Sequence, residues 1–224
     1  MPSASRSYVG RISARKASGS IFYRSRHEHD ALIHMVFDHA VLRIERNDLT
    51  PVEENSFGLL RRSDPNRVFT LESGRYTPDI RVRLGDGSII FVEVGAHSDK
   101  TEEHEARRLA EADIEIEKSG ARFVLLTDRN MRGFLLENRK KLFPYLRPIA
   151  PTGDLTTAAR RLLEASDHGL SVGELIEAVC RAEPNSSAAS ASEAIWSVVA
   201  EAEASGELRY DHAERIDVGT KVAI

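Results

Sequence analysis

Apolar residues recur along this chain in two rhythms, and the change between them divides it. From Ser25 to His39, the apolar positions Leu32, Ile33, Val36 and Phe37 return at helical spacing. Ser25 stands as the N-cap of that helix, with Glu28 three residues later in capping-box position. Val41 to Glu45 alternates as a strand does, and Val68 to Leu71 is a further strand candidate. The first 20 residues show no clear period, and segment 50–66 is polar and rich in turn formers around Phe57-Gly-Leu-Leu60. The clearest signal is a hairpin: Ile80-Arg-Val-Arg-Leu84, a turn at Gly85-Asp-Gly87, then Ser88-Ile-Ile-Phe-Val-Glu-Val94. A charged helix over 101–119 closes on Gly120, a natural C′ residue. A compact apolar strand over 121–127 and a helix from Met131 to Phe143 follow.

Pro144, Pro148 and Pro151 then interrupt the chain and mark a domain boundary. Beyond it the rhythm is that of short helices, at Leu155–Ser166, Ser171–Cys180 and Ser190–Ser205. Two short strand candidates follow, Glu207–Tyr210 and Arg215–Val218. Three helices and a β-wing predict a winged-helix domain over 152–224. The organisation expected is therefore a leading arm over 1–20, a mixed α/β domain over 21–147 and the winged helix.

Composition changes this picture little: 41% hydrophobic and 29% charged residues are those of an ordinary globular chain. No apolar run reaches the length of a membrane helix, and no signal-like core opens the chain, so a cytoplasmic protein with no membrane partner is expected. Cys180, the only cysteine, excludes an internal disulfide and a thiolate zinc site. The distribution of charge says more than the net −4. Residues 1–26 carry Arg6, Arg11, Arg15, Lys16, Arg24 and Arg26 with no acid, whereas 151–224 hold six bases against thirteen acids. A basic arm can touch phosphates, or it is simply a solvated terminus; an acidic tail domain repels them. The third C-terminal helix has no Lys or Arg and carries Glu193, Glu201 and Glu203, which suits a protein-docking module better than a reader of the major groove. A transcriptional regulator working through that domain is accordingly the least favoured reading.

Chemistry enters through the hairpin. A three-residue loop makes Leu84 face Ser88, and the same register sets Asp79 opposite Glu93, on one face of the sheet. Two carboxylates so close repel unless a cation or a proton intervenes, and a hard ion such as Mg²⁺ (or Mn²⁺) suits them. Two exposed acids at the open end of a hairpin would read the same way without any site. Four histidines in the first helix (His27, His29, His34 and His39) show no metal-ligand spacing.

The surrounding residues tip the balance. Pro78-Asp79 followed by Glu93-Val94-Gly95 resembles the PD-(D/E)XK nuclease motif with Gly95 where lysine is expected. Tyr23-Arg-Ser25-Arg-His-Glu28 opens a helix upstream, and Phe123-Val-Leu-Leu-Thr127-Asp128, Met131-Arg132, Asn138, Leu142 and Tyr145 follow downstream. This ordered set, over about 21–147, resembles the TnsA family of transposon end-cleaving endonucleases. The resemblance implies a restriction-endonuclease-like mixed sheet flanked by helices, and Mg²⁺-dependent hydrolysis of double-stranded DNA at transposon ends. It implies Glu28, Asp79 and Glu93 as metal ligands, with a TnsB-like transposase and a TnsC-like ATPase regulator as partners of the C-terminal domain. The missing lysine leaves three explanations: a catalytically inactive nuclease fold serving as a DNA-binding adaptor; a role moved to His97 or Lys100; or slower cleavage relying on the metal alone. His97 qualifies if the strand continues with period two, which would bring it to the face of Glu93.

Overall fold

The computed structural model of the protein describes residues 9–17, 20–46, 68–146, 153–166 and 169–224. Arg6, segment 50–66 and residues 147–152, with Pro148 and Pro151, lie outside the described residues. The chain is mixed α/β, with a mixed four-stranded sheet flanked by helices. It divides into two units: residues 1–36 with 40–131, and 37–39 with 132–224. The division falls between Met131 and Arg132, ahead of the prolines at which the sequence reading sets the boundary.

In the first unit, β1 (Gly10–Ser13) and β2 (Ser20–Tyr23) pair antiparallel where the sequence shows no period. Strands of four residues bury only Ile12 and Ile21, too few to leave a readable alternation. Helix α1 (Arg26–Phe37) follows, its apolar stripe buried as Leu32, Ile33 and Val36. Ser25 Oγ accepts from Glu28 N at 3.0 Å, but the Glu28 carboxylate reaches Arg24 N, 2.9 Å away, so only half of the expected capping box forms.

Strand β3 (Val41–Arg46) is the edge of the main sheet; β4 (Phe69–Leu71) and β5 (Gly74–Tyr76) form a separate small hairpin. Strands β6 (Ile80–Leu84) and β7 (Ile89–Gly95) are the hairpin expected, in the register expected: Ile80 faces Val92, and Leu84 N donates to Ser88 O at 2.9 Å. The turn works because Gly87 takes φ +87, where a side chain would be strained. After β7 come a short helix α2 (His97–Lys100) and the long α3 (Glu103–Lys118), which returns the chain to β8 (Arg122–Thr127), parallel to β7. The sheet order is β3-β6-β7-β8. Leu109, Ala112 and Ile116 of α3 close a core with Phe91, Tyr76 and Leu71. The single turn α4 (Asp128–Met131) ends this unit, so the helix expected over 131–143 is in fact broken at Gly133, φ +128.

In the second unit, α5 (Phe134–Leu142) precedes α6 (Gly153–Glu164), α7 (Val172–Ala182) and α8 (Ala188–Ser205). A complete capping box of Ser171 and Glu174 starts α7. Helix α8 is buried continuously from Ala194 to Ala200, while Glu193 and Glu201 on either side are exposed, so Ile195, Trp196, Val198 and Val199 are core residues. The strands expected at 207–210 and 215–218 do not form. Instead β9 (Leu170–Ser171) pairs with β10 (Lys221–Val222), and Arg209 bridges to Ala223. Residues 215–218 are claimed elsewhere: the buried Asn138 of α5 donates to Glu214 O and accepts from Ile216 N, both at 2.8 Å. Lys141 donates to Ile216 O at 2.6 Å and lies over the Trp196 ring, on which Tyr145 also stacks. Asn138, Leu142 and Tyr145 thus serve the interior of this unit.

Candidate functional site

The hairpin register is the foundation of the site. Its next step beyond the Ile80–Val92 pair brings Asp79 opposite Glu93, and Val94 N donates to Asp79 Oδ2 at 2.9 Å across the strands. Glu93 shares its face with Phe91, two residues earlier, and so points toward the α3 side of the sheet, where it is 6% exposed. A buried carboxylate there needs partners, and it has two. Tyr76 Oη donates to Glu93 Oε2 at 2.8 Å, and Lys100 Nζ to Glu93 Oε1 at 2.6 Å.

Lys100 ends α2, which the adjoining strand sets in place: Asp128, directly after β8, accepts from His97 N at 2.7 Å. That contact satisfies one of the N–H groups a helix start leaves unpaired. It also gives the Thr127-Asp128 pair a physical role. The lysine then folds back over Gly95. A Cβ built on Gly95 would lie 2.5 Å from Lys100 Cε and 3.3 Å from its Cγ, so the stem of Lys100 fills the space a side chain at 95 would take. Glu105 of α3 accepts from the same ammonium at 3.0 Å and is held in turn by Arg108 through two bonds, at 2.9 and 2.8 Å. Arg108 lies over the Tyr76 ring, 5.1 Å from its centroid, which closes the ring of contacts back to Glu93.

Glu28 is held differently. Its Oε2 accepts from Arg46 Nη1 at 2.7 Å, and the side chains of both are nearly buried. Arg46 is the last residue of β3, and it was not among the residues singled out in the sequence. Its signal is weak there, one arginine among many.

Charge decides what this arrangement can do. Four acids (Glu28, Asp79, Glu93, Glu105) stand among three bases (Arg46, Lys100, Arg108), and Asp79 makes no ion pair among the described residues. Burial pushes the Asp79 carboxyl up to about 7; Glu93 and Glu28 add to the rise, against the Val94 N–H and Lys100, which oppose it. Tyr76 is raised well above the ordinary phenol by burial and by Glu93, so it stays a hydrogen-bond donor. Burial works against the Lys100 ammonium, yet Glu93 and Glu105 hold its pKa above the usual lysine value. Arg108, followed by Lys100, brings Glu105 down to about 2 despite its partial burial.

Of the residues expected at the site, Asp79, Glu93 and Lys100 come together, and Glu28 is near enough for its charge to act on Asp79. His97 does not take the expected face. Strand β7 ends at Gly95, and His97 opens α2 instead of continuing the period of two. His34 Nε2 donates to Met131 O at 3.0 Å, and His29 lies against Asp30 and the Tyr23 ring. Among the described residues, no three His, Cys, Asp or Glu side chains stand ready to hold a metal ion. The reason is visible in the contacts: Glu28 and Glu93 are each turned to a basic partner. The donor set itself, hard carboxylate oxygens with one acid in excess, is of the kind a divalent ion satisfies.

A second feature of this unit is a cleft of about 410 Å³ lined by Arg15, Lys16, Ala17, Leu42, Arg43 and Arg83. It collects part of the basic arm onto the β3–β6 edge, where Ala17 bridges to Ile44. No family model matches the chain, and no curated protein matches it.

Proposed function

We propose that the protein is a metal-dependent DNA endonuclease of the TnsA type, with a restriction-endonuclease-like first unit. The observation that carries this reading is the meeting of carboxylates across the β6–β7 hairpin: Asp79 stands opposite Glu93, held by Val94 N at 2.9 Å, with Lys100 Nζ on Glu93 at 2.6 Å. Asp79 and Glu93, joined by Glu28, would hold Mg²⁺ or Mn²⁺. When bound, that ion supplies Lewis acidity and lowers the pKa of water near it. The chain's own part is to orient and to hold charge. Val94 N–H fixes the Asp79 oxygen, Tyr76 fixes one oxygen of Glu93, and Lys100 brings a cation to the same place. The cleft of Arg15, Lys16, Arg43 and Arg83 suits a phosphate backbone, whose charge such residues offset.

The second unit is read as a winged helix, supported by α6, α7 and α8 with the β9–β10 and Arg209–Ala223 pairings. Its buried α8 is unsuited to lie in a DNA groove, which favours docking to a TnsB-like transposase and a TnsC-like regulator. A second reading, an inactive nuclease fold acting as an adaptor, is favoured by the Arg46–Glu28 and Lys100–Glu93 pairs, which already neutralise two of the three acids. Incubating the full chain with supercoiled DNA and Mg²⁺ or Mn²⁺, alone and with the partner transposition proteins, separates the two. The nuclease nicks the DNA and loses that activity in Asp79→Ala; the adaptor binds DNA and cuts nothing.

A further inference from the structure

The β1–β2 hairpin has two unlike faces. Ile12 and Ile21 are buried beneath it, while Arg11, Ser13, Ser20 and Phe22 stand exposed on the outer face. The register makes these four residues two cross-strand pairs. Arg11 is opposite Phe22, and Ser13 is opposite Ser20, their hydroxyls hydrogen-bonded at 2.9 Å. The Arg11 guanidinium lies over the Phe22 ring, 5.6 Å from its centroid, and the phenylalanine is still 48% exposed. Two connections tie this hairpin to the elements already described. Arg46 Nη1, which holds Glu28, also donates to Phe22 O at 2.5 Å. The chain leaving β1 runs on to β3, where Ile44 N donates to Lys16 O at 2.7 Å and where Arg15 and Lys16 line the basic cleft.

We propose that this outer face takes one unstacked nucleotide of the DNA, its base on the Phe22 ring and its phosphate at Arg11. The inference rests on the DNA part of the reading above and adds the form of DNA that the protein prefers. Arginines alone would suit any phosphate; the exposed ring is what selects a base. Paired bases in a regular duplex offer their edges to the grooves, so a ring meets the face of a base only where stacking is broken. Every base has a π-face, so the preference is for broken stacking and not for a sequence. A nucleic acid suits this face better than a protein because residues 1–26 hold six basic residues and no acid, and because the hairpin is continuous with the cleft. Through Arg46, the backbone of the stacking residue is fixed to the glutamate of the proposed site.

The test measures binding of the full chain by fluorescence anisotropy, in EDTA so that no cleavage runs. Two DNA duplexes are compared, one perfectly paired and one with a single unpaired adenine at its centre. The wild type is expected to bind the second about 5- to 150-fold more tightly, the worth of one base stacked on an aromatic ring. Phe22→Ala and Phe22→Leu are expected to bring that ratio close to one, since leucine keeps apolar bulk but has no π-face. Phe22→Trp is expected to keep the ratio or raise it, which separates lost stacking from a disturbed hairpin. Arg11→Gln is expected to weaken binding to both duplexes and to lower the salt slope by about one. A wild-type ratio near one, a full ratio in Phe22→Leu, or a ratio lost in Phe22→Trp overturns the proposal. So does a ratio near one with Phe22→Ala weakening the complex with a partner transposition protein, which would assign the face to a protein. Nicking by the wild type in Mn²⁺ is followed in parallel. A wild type that shows the ratio and nicks nothing overturns the nuclease reading and leaves this assignment; one that nicks with a ratio near one does the reverse.

Discussion

Replacing Asp79 by Asn should make the protein more stable at neutral pH, although it removes the residue on which the proposed activity depends. The carboxyl titrates near 3.8 when unfolded and is raised to about 7 in the fold, first by burial and then by Glu93 and Glu28. Between those values the folded chain holds a proton that the unfolded chain releases, so stability falls as pH rises from about 4 to about 7 and is level above. The displacement corresponds to about 4 kcal/mol, an upper figure because water reaches part of the group. It is a large fraction of the 5–15 kcal/mol or so that holds a typical domain together. Asn keeps an oxygen to accept from Val94 N and carries no charge to set against Glu93. Urea denaturation at a series of pH values, followed on the transition of the first unit, reads the difference. Asp79→Asn is expected to gain up to about 4 kcal/mol over the wild type at pH 8, and nothing at pH 4. Saturating Mn²⁺ should raise the wild type and leave the variant where it was. A variant equal to or weaker than the wild type at pH 8 would refute the claim that Asp79 is held ionised against its neighbours.

Other residues yield further expectations. Arg46→Met leaves Glu28 buried without its cation, at a cost of about 3–5 kcal/mol, measurable as a lowered denaturation midpoint; Glu28→Gln in the same chain should recover part of it. Asn138→Ala removes both hydrogen bonds that hold the 214–216 backbone, costing about 2–3 kcal/mol and read as a lowered denaturation midpoint of the second unit. Reversing charge at Arg15 and Arg83 should weaken duplex binding for all sequences alike and flatten its dependence on salt, as seen by fluorescence anisotropy across a salt series. A salt slope unchanged by the double reversal would exclude that cleft as a phosphate contact.

The part of the site legible in the sequence is the part set by local rules. Gly85-Asp86-Gly87 between two alternating β-rich runs fixes a turn, a turn of known length fixes a register, and the register brings Asp79 to Glu93. The helices of the second unit were readable for the same reason, since α7 and α8 carry caps and apolar positions within their own length. The β9–β10 pairing was not readable. Its strands are two residues long, and the β-rich 215–218 stretch is taken by Asn138 and Lys141, far away in the chain. The β1–β2 hairpin escaped likewise, because its alternation is too short to register. In the sequence Lys100 stands out only as one of two basic groups close after Glu93. What favours it over His97 is where β7 stops, how Asp128 anchors α2, and how Glu105 on the next helix faces back. Arg46, the partner of Glu28, carries only a weak signal, as one arginine among many. A register is settled by covalent spacing and backbone pairing, which one sequence contains. The pairing of a buried charge is settled by which side chains the packed elements bring within about 3 Å, and only the assembled fold determines that.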